Sequence, residues 1–289
     1  MKLEFDRVSK SYGKKKALKG FSATLTDGIY GLLGPNGAGK STLMNILTGN
    51  LSSTAGTIYI DGQDIRSLKD KYYSRIGYMP QQDVFFPSFT AEHFLYYMAS
   101  LHGMTTEKAA QRIETVLKDL SLWDVRNMKI RQLSGGMKRR LLLCQAIVHE
   151  PDILIMDEPT TGLDPKQRIS VRNLIAEFAK DRIVILSTHI VADVEYIAKE
   201  LLFLSNGELI QRGTPSSFTD SLRGRVWEMT VASEMLPELE KAGAIMSVYK
   251  GGDSAVVRLL TEEGTQIAGI PVQPTLEDVY LNFFKNDEI

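Results

Sequence analysis

The chain has 289 residues, a formal net charge of −1 and 43% hydrophobic residues, values typical of a globular protein with one large or two ordinary domains. This charge and a pI of about 6.5 do not indicate a nucleic-acid-binding surface. A single cysteine, Cys144, excludes an internal disulfide framework and a cysteine metal cluster, and no apolar run approaches the ~20 residues that span a bilayer.

The N-terminal part is predicted to form strands, with one helix among them. Residues 17–25 alternate apolar with polar or small side chains, a pattern typical of a strand with one buried face. Residues 29–33 are almost continuously apolar, which indicates a strand buried on both faces. A helix is predicted from Ser41, and further strands are predicted within 56–65 and 75–81.

The middle of the chain is predicted to be helical and then to alternate between strands and helices. Between residues 90 and 128, apolar side chains recur at the spacing of one helix face. Ser134 is expected to open another helix, which ends before Pro151. Beyond it, strands are predicted at 152–157, 182–187 and 201–205, and helices at 166–179 and 190–199. Such alternation predicts a parallel sheet covered on both faces.

A domain boundary is predicted near residue 215. A Thr-Pro pair at 214–215 and Gly224 are typical of a helix start and end. We therefore expect a first domain at 1–215, with a helical subdomain at about 85–150, and a small α/β domain at 216–289. In the small domain the pattern predicts a strand at 225–231, a helix at 235–243, strands at 246–250 and 255–260, and a last helix at 276–284.

Residues 34–41, GPNGAGKS, fit the G-x-x-x-x-G-K-[ST] pattern of a phosphate-binding loop. Glycine has no Cβ, so successive backbone N–H groups can point at one anion, and the helix that follows adds positive partial charge. Lys40 is expected at the β- and γ-phosphates of a nucleoside triphosphate, and the Ser41 hydroxyl at Mg²⁺. The residues predicted to bind the nucleotide are Gly34, Pro35, Asn36, Gly37, Ala38, Gly39, Lys40, Ser41 and Thr42. The loop alone leaves kinases, GTPases, helicases and transport ATPases open.

Polar residues at the ends of two predicted strands narrow the choice among these classes of nucleotide-binding protein. Asp157 ends the apolar strand 152–157, where its carboxylate suits coordination of the same Mg²⁺. Glu158 comes next and is expected to orient or deprotonate the attacking water, the alternative being a structural acid beside the metal. His189 follows strand 182–187 at the sheet edge where open α/β folds bind ligands. It is either a hydrogen-bond donor to the γ-phosphate or a satisfied core histidine.

With LSGGM at 133–137, these motifs make residues 1–215 resemble the ABC (ATP-binding cassette) ATPase family. The resemblance implies an α/β P-loop NTPase fold with an antiparallel β subdomain, a helical signature subdomain and, here, a small α/β C-terminal domain. It implies that Tyr12 stacks on adenine, that Gln81 contacts Mg²⁺ and the attacking water, and that Asp164 is the D-loop aspartate. It assigns catalysis of ATP hydrolysis to Glu158, His189, Gln81 and Lys40, and the metal to Ser41, Gln81 and Asp157.

The signature residues Ser134, Gly135 and Gly136 form a second anion site in this family, at a turn that opens a helix. There they bind the γ-phosphate of the nucleotide that the other subunit holds. Because this sequence carries one phosphate-binding loop and one signature, the resemblance implies two cassettes that meet head to tail over two ATP molecules. Met137 stands where the family most often has glutamine, a form similar to cassettes of bacterial exporters.

The resemblance also implies a membrane partner on a separate chain, with this subunit on the cytoplasmic side of the cell membrane. Phe85, Phe86 and Phe89 follow Gln81, where cassettes of the family form a groove for a helix of the membrane subunit. The alternative is that these aromatic rings pack within the helical subdomain. The C-terminal PTLEDVYLNFF at 274–284 resembles the tail of exporter cassettes for drugs, polysaccharides or lipids, which favours export.

Other functions are weighed against this interpretation. A soluble mechanical ATPase of the same family, acting on ribosomes or nucleic acid, would bring a long coiled coil, zinc-binding cysteines or two joined cassettes, and the pI does not favour a nucleic-acid partner. A GTP-binding switch would need an Asn-Lys-x-Asp motif, and the sequence has no Asn-Lys pair.

Two further groups of side chains are given no part in the chemistry. Residues 138–140, Lys-Arg-Arg, are predicted to form the exposed face of one helix. His93, His102 and His149 have no metal-ligand spacing, so no role is predicted for them.

Overall fold

A computed structural model of the protein describes residues 1–82, 84–241, 245–251, 253–262, 264–265 and 267–285. These residues divide into two compact units, Met1–Arg212 and Gly213–Ile289. No helix in the described ranges is both long enough and apolar enough to cross a membrane.

The first unit combines strands and helices along its whole length. Its elements in chain order are β1 (Lys2–Tyr12), β2 (Lys15–Thr26), β3 (Gly28–Leu33), α1 (Lys40–Leu47), β4 (Ala55–Ile60), β5 (Gln63–Asp64), α2 (Ile65–Leu68), α3 (Asp70–Tyr73), β6 (Ile76–Met79), α4 (Ala91–Leu101), α5 (Thr106–Asp119), α6 (Gly135–Ile147), β7 (Ile153–Asp157), α7 (Pro165–Phe178), β8 (Ile183–Ser187), β9 (Glu200–Ser205) and β10 (Glu208–Gly213).

An antiparallel sheet is built from the N-terminal strands, in the order β2-β1-β4-β5. On β1 the apolar side chains of Leu3, Phe5 and Val8 are buried, while polar neighbours between them are exposed. The rings of Phe5 and Phe21 meet edge to face with centroids 5.2 Å apart. This one-sided burial is what the alternating sequence predicts.

A second sheet of the unit has the order β10-β9-β3-β8-β7-β6, and its strands from β9 to β6 run parallel. Every residue of β7 and β8 is buried, as their continuous apolar sequences require. Leu43, Met44 and Leu47 of α1 belong to the core that both sheets share. Because the strands are parallel, residues that follow β3, β7 and β8 lie at one edge of the sheet, as predicted.

Helices α4, α5 and α6 begin at residues whose side chains cap them. The hydroxyls of Thr90, Thr105 and Ser134 each accept a hydrogen bond from the backbone N–H three residues later, which satisfies a donor that the first helical turn leaves free. As predicted, Ser134 opens a helix, and the helix ends at Ile147, before Pro151.

The helix predicted at 190–199 is wrong. Val191–Asp193 form a 3₁₀ turn, and no continuous α-helix follows in this fully described segment. Val191 and Val194 are β-branched, which disfavours a helix. The Asp193 carboxylate is buried and accepts a hydrogen bond from the Thr160 hydroxyl, so this segment is held by a contact with the loop after β7.

The second unit also mixes strands and helices. Its elements are α8 (Pro215–Ser221), β11 (Val226–Ala232), α9 (Leu236–Lys241), β12 (Ile245–Gly251), β13 (Ser254–Leu260), β14 (Ile270–Pro271) and α10 (Leu276–Phe283). The sheet order is β12-β13-β11-β14, over a small apolar core that includes Val231, Val257 and Leu259. Residues 242–243 of the predicted helix 235–243 lie outside the described residues, and β14 was not predicted.

Candidate functional site

The loop at residues 34–41 connects the end of β3 to the start of α1. Gly34 has a φ of 156° and Gly39 a φ of 107°, conformations that favour glycine. A Cβ at Gly34 would lie 2.2 Å from the carbonyl oxygen of Leu204, and one at Gly39 would lie 2.7 Å from that of Ala17. The loop backbone therefore packs directly against neighbouring backbone, and both positions require glycine.

Lys40, the first residue of α1, extends back over this loop. Its side chain is buried, and its Nζ donates hydrogen bonds to the carbonyl oxygens of Gly34, at 2.5 Å, and Pro35, at 3.0 Å. Burial lowers the pKa of Lys40, while the carboxylates of Glu158 and Asp157 act in the opposite direction. The ammonium group of Lys40 thus lies between the loop and the two acidic residues at the end of β7.

A cavity of about 390 Å³ opens beside the loop. It is lined by Tyr12, Lys15, Ala17, Asn36, Gly37, Gly39, Lys40, Ser41, Thr42, Gln81, Asp157 and Glu158. Tyr12 is exposed, with the Lys10 ammonium 5.4 Å from its ring centroid. Predicted residues from four separate parts of the sequence therefore meet at one cavity, while Gly34, Pro35 and Ala38 complete the loop beside it.

Asp157 ends β7 with its carboxylate held in place by a neighbouring strand. Asp157 and Ser187 are register partners in β7 and β8. Both are buried, and the Ser187 hydroxyl donates a hydrogen bond to Asp157 Oδ1. Ser187 was not predicted from the sequence. The signal that identifies it is a hydroxyl residue at the end of the strand next to β7 in the parallel sheet.

Glu158 combines a buried carboxylate with an unusual backbone. Its φ is +53°, in the left-handed region that non-glycine residues rarely adopt. Its Oε1 lies 2.9 Å from His189 Nδ1, and its Oε2 accepts a hydrogen bond from the Thr161 hydroxyl at 3.4 Å. The His189 side chain is 60% exposed, so the alternative of a buried core histidine is wrong. Strained residues of this kind cluster at functional sites.

The oxygen atoms in the cavity fit Mg²⁺ that arrives with a nucleotide. Ser41, Gln81 and Asp157 all line it, and hydroxyl, amide and carboxylate oxygens are ligands that Mg²⁺ accepts. Across the described ranges, no three His, Cys, Asp or Glu side chains gather closely enough to hold a metal by themselves. The ion would therefore need the phosphate oxygens as further ligands, which is its usual mode of binding in nucleotide sites.

The signature residues and Asp164 lie elsewhere in the unit. Ser134 caps α6 and accepts a hydrogen bond from the Met137 N–H at 3.3 Å, with Gly135 and Gly136 in the first turn. Asp164 caps α7 and accepts from the Gln167 N–H at 2.8 Å. In the part of the chain that the structure describes, none of these predicted ligands lines the cavity beside the phosphate-binding loop.

The prediction that residues 138–140 form an exposed helix face is wrong for Arg139. Arg139 is buried, at 6% exposure, whereas Lys138 and Arg140 are partly exposed. Its guanidinium group donates hydrogen bonds to backbone carbonyl oxygens that flank the cavity, among them those of Gln81 and Asp157. No spacing rule identifies such a residue, because main-chain acceptors leave no trace in a sequence.

A larger groove of about 870 Å³ adjoins the cavity. Its apolar and aromatic lining includes Val84, Phe86, Phe94, Tyr97, Met98 and Leu101, and Gln81 belongs to both spaces. Phe86 is 45% exposed and Tyr97 38% exposed, and their rings meet edge to face at 5.4 Å.

The three predicted aromatic residues differ in their surroundings. Phe86 lines the groove. Phe85 packs edge to face on Phe94 with centroids 5.3 Å apart, and Phe89 stacks on His93 at 4.3 Å. Phe85 and Phe89 therefore pack within the helical subdomain, whereas a role of Phe86 in binding a helix of a membrane subunit stays a prediction.

A phosphate-binding loop, an acidic pair after another buried strand of the same sheet and a parallel sheet covered by helices define a P-loop nucleoside triphosphatase. Residues 18–161 match the family described as ABC transporter. The chain is 38% identical over 221 residues to a Nod factor export ATP-binding protein I of Paraburkholderia xenovorans, which covers 76% of this chain and 73% of the relative.

Two other comparisons agree with that match. A linearmycin resistance ATP-binding protein of Bacillus subtilis is 35% identical over 233 residues, which covers 80% of this chain and 75% of the relative. A solved dimeric cassette in a post-hydrolysis state with ADP and Pi has a TM-score of 0.68 and 26% identity, covering 74% of this chain and 98% of that one. The chain belongs to the ABC transporter family. It is an ATP-binding subunit with ATPase activity, homologous to exporter ATPases.

Proposed function

We propose that this chain drives an exporter by closing over ATP with a second cassette and opening after hydrolysis. The observation that carries the proposal is the separation of the anion sites within one chain. The loop at 34–41 lines the nucleotide cavity, whereas the helix start at Ser134 does not. A second chain placed head to tail would supply its signature to the nucleotide held here.

Binding is assigned to the loop and to residues at its rim. Backbone N–H groups of residues 36–42 surround the phosphates, with Lys40 beside the β- and γ-phosphates. Tyr12, exposed at the edge of the cavity, stacks on the adenine ring. Mg²⁺, held by Ser41 and approached by Gln81 and Asp157, would neutralise charge on the transferred phosphoryl group.

Hydrolysis is assigned to Glu158, with help from two neighbours. Its buried carboxylate accepts the proton of the attacking water, while Gln81 orients that water and His189 hydrogen-bonds the γ-phosphate. His189 Nδ1 lies 2.9 Å from Glu158 Oε1, so one imidazole can contact both the base and the phosphate. Ser134, Gly135, Gly136 and Asp164 act on the partner's nucleotide.

A membrane permease on a separate chain is the proposed partner, which would place this subunit at the cytoplasmic face of the membrane. The groove beside Gln81 offers a helix-sized surface with exposed Phe86 and Tyr97, and amphipathic helices bind in such apolar grooves. Gln81 lines both the groove and the nucleotide cavity. Binding of a helix in the groove would therefore depend on whether the cavity holds a nucleotide.

The test is affinity capture of a tagged Glu158→Gln chain, with ATP, from detergent-solubilised membranes of the native cell, followed by mass spectrometry. We expect a protein with several membrane-spanning segments to copurify. The same capture with Phe86→Glu added should lose it, whereas Ile210→Glu, which changes an exposed apolar residue outside the groove, should retain it. Recovery of soluble proteins or ribosomes alone would preserve the ATPase assignment and reject the transporter.

A further inference from the structure

Arg139 connects three segments of the nucleotide site through a single buried guanidinium group. It lies in the first half of α6, the helix that Ser134 opens. Its Nη1 donates to the carbonyl oxygens of Pro80, at 3.0 Å, and Gln81, at 2.8 Å. On the other side, Nη2 donates to the carbonyl oxygen of Asp157 at 2.7 Å. The helix, the segment at Gln81 and the end of β7 are thus joined at one point.

The contacts continue into the turn after β7. Arg139 Nη2 also donates to the carbonyl oxygen of Glu158, and Nε donates to that of Pro159 at 3.3 Å. Arginine presents its donors in a rigid plane and stays charged at any physiological pH. Hydrogen bonds from a charged donor in a buried place are stronger than neutral ones. This geometry therefore resists displacement of any one carbonyl group.

The backbone of Glu158 is the part of the site that most needs such support. Its φ of +53° is a strained conformation for a non-glycine residue. Its N–H donates to the carbonyl oxygen of Ser187 at 3.1 Å, and its own carbonyl oxygen accepts from Arg139. Two hydrogen bonds thus hold the Glu158 backbone, one to β8 and one to α6, and its side chain lines the cavity.

We infer that Arg139 is a positioning residue that holds Glu158 in its hydrolytic orientation and makes this orientation depend on where the Gln81 segment lies. The inference rests on the proposed role of Glu158. A shift of α6 or of the Gln81 segment away from β7 would break or lengthen the bonds to Glu158, and its backbone could then leave the left-handed conformation. Hydrolysis would proceed only when α6, the Gln81 segment and β7 are packed against one another.

Arg126, a partly exposed arginine of the helical segment, is the control. Its guanidinium group donates to the carbonyl oxygen of Trp123 at 2.9 Å and stacks over the Trp123 ring, away from the cavity lining. Arg140 does not serve as a control, because its Nε donates to the carbonyl oxygen of the signature residue Gly136 at 3.4 Å. The variants Arg139→Gln and Arg139→Lys are compared with Arg126→Gln and Arg126→Lys. Measured for each are kcat, KM, the dissociation constant for ATP and the melting temperature.

We expect Arg139→Gln to lower kcat about 10- to 100-fold, the size of effect that a displaced catalytic group produces. Its dissociation constant for ATP should stay unchanged, because Lys40 and the loop remain in place. Arg139→Lys keeps the charge without the planar geometry and should give an intermediate kcat. Both Arg126 variants should keep the kcat of the parent. A fall in ATP affinity that parallels kcat, or an unaltered kcat, would overturn the inference.

A double-mutant cycle separates this inference from the proposed function. If Glu158 acts through Arg139, adding Arg139→Gln to Glu158→Gln should leave hydrolysis no slower than Glu158→Gln alone. Additive losses would contradict the inference. A normal rate for Glu158→Gln would contradict the proposed function instead. If both Arg139 variants fail to fold while the Arg126 variants fold, Arg139 is a structural residue and the positioning role is rejected.

Discussion

His189 and Glu158 form a direct contact at the carboxyl edge of the parallel sheet, with Nδ1 of the imidazole 2.9 Å from Oε1 of the carboxylate. The Glu158 side chain is 9% exposed and the His189 side chain 60% exposed. A buried acid is therefore joined to a ring that also faces solvent. The ring is thus fixed against the base, but His189 is not among the described residues that line the nucleotide cavity, so its contact with a ligand there stays a prediction.

Glu158→Gln is expected to bind ATP but to hydrolyse it at least about 100-fold more slowly, because the amide cannot accept the proton of water. The amide keeps the shape of the side chain and can still contact His189, so folding should not change. Without hydrolysis, the protein should accumulate as an ATP-dependent dimer. Phosphate release and sedimentation velocity, with and without ATP, measure the two effects.

Glu177→Gln, which changes an exposed carboxylate on α7, is the control for that experiment and should behave like the parent. An unaltered turnover in Glu158→Gln would remove Glu158 from the chemistry. A mass in solution that does not depend on ATP would remove the dimer from the mechanism.

Lys40→Ala is expected to weaken ATP binding about 10- to 100-fold, the range for losing charge-assisted hydrogen bonds. The free protein should not be destabilised by loss of the charge, because burial already lowers the pKa of Lys40 and so disfavours its ammonium form. Isothermal titration calorimetry gives the ATP affinity, and thermal unfolding gives the stability. Lys108→Ala, an exposed lysine of α5, should change neither, and tight ATP binding by Lys40→Ala would refute the assignment.

The sequence predicted the local parts of the site because their determinants are local. The positive φ values of Gly34 and Gly39 and the caps Ser134 and Asp164 concern these residues and their chain neighbours. The close approach of Gly34 to Leu204 and of Gly39 to Ala17 is not local. The parallel sheet then follows from alternating strands and helices, and it brings Asp157 to the same edge as the loop. The fold class, the loop and the acidic pair could therefore be derived from the sequence, whereas Tyr12 and Gln81 were expected only from the family resemblance and Lys15 and Ala17 were not predicted.

Arg139 could not be derived in the same way. Its acceptors are main-chain carbonyl oxygens of Gln81 and Glu158, which any residue type would supply. The basic run at 138–140 resembles a solvated helix face until the packing of α6 against the sheet is known. The helix predicted at 190–199 failed for a related reason, because a buried contact between Asp193 and Thr160 outweighs the local pattern.

His149 should make the folded protein sensitive to mild acid. Its ring stacks on His102 with centroids 3.5 Å apart, its Nε2 lies 2.9 Å from the Ile76 carbonyl oxygen, and its buried Nδ1 has no hydrogen-bond partner in the described chain. Burial and the neighbouring His102 lower the pKa of His149 from 6.5 to about 4. Between these two values the unfolded chain binds the proton and the folded chain does not, so stability falls as pH decreases.

The wild-type free energy of unfolding should therefore fall from pH 7 to pH 5 by about 1–2 kcal/mol more than that of His149→Gln. Urea unfolding at the two pH values measures this difference. The exposed His93 provides the control, since His93→Gln should keep the pH dependence of the wild type. Parallel pH profiles for wild type and His149→Gln would show that the stacked pair does not titrate in this range.

Gly135 allows a test of the proposed head-to-tail dimer, in which the signature of one chain meets the nucleotide of the other, without disturbing the fold. A Cβ at Gly135 would meet no heavy atom within 4 Å in the described chain, whereas one at Gly136 would lie 2.7 Å from Gln167 Oε1. A side chain at 135 therefore meets free space, and one at 136 would require only the end of the Gln167 side chain to shift. The free space in front of Gly135 is where the proposed partner's γ-phosphate would lie.

Gly135→Asp should consequently leave the monomer folded and able to bind ATP, since an acidic residue in the first turn of α6 is favourable for the helix. Its carboxylate would repel the partner's phosphate, so we expect ATP-dependent dimerisation and hydrolysis to be lost. Gly135→Ala adds a methyl group without charge and should retain both in larger part. In the Glu158→Gln background, a Gly135→Asp protein that still dimerises with ATP would mean that the signature turn does not face a nucleotide, and the head-to-tail arrangement would have to be abandoned.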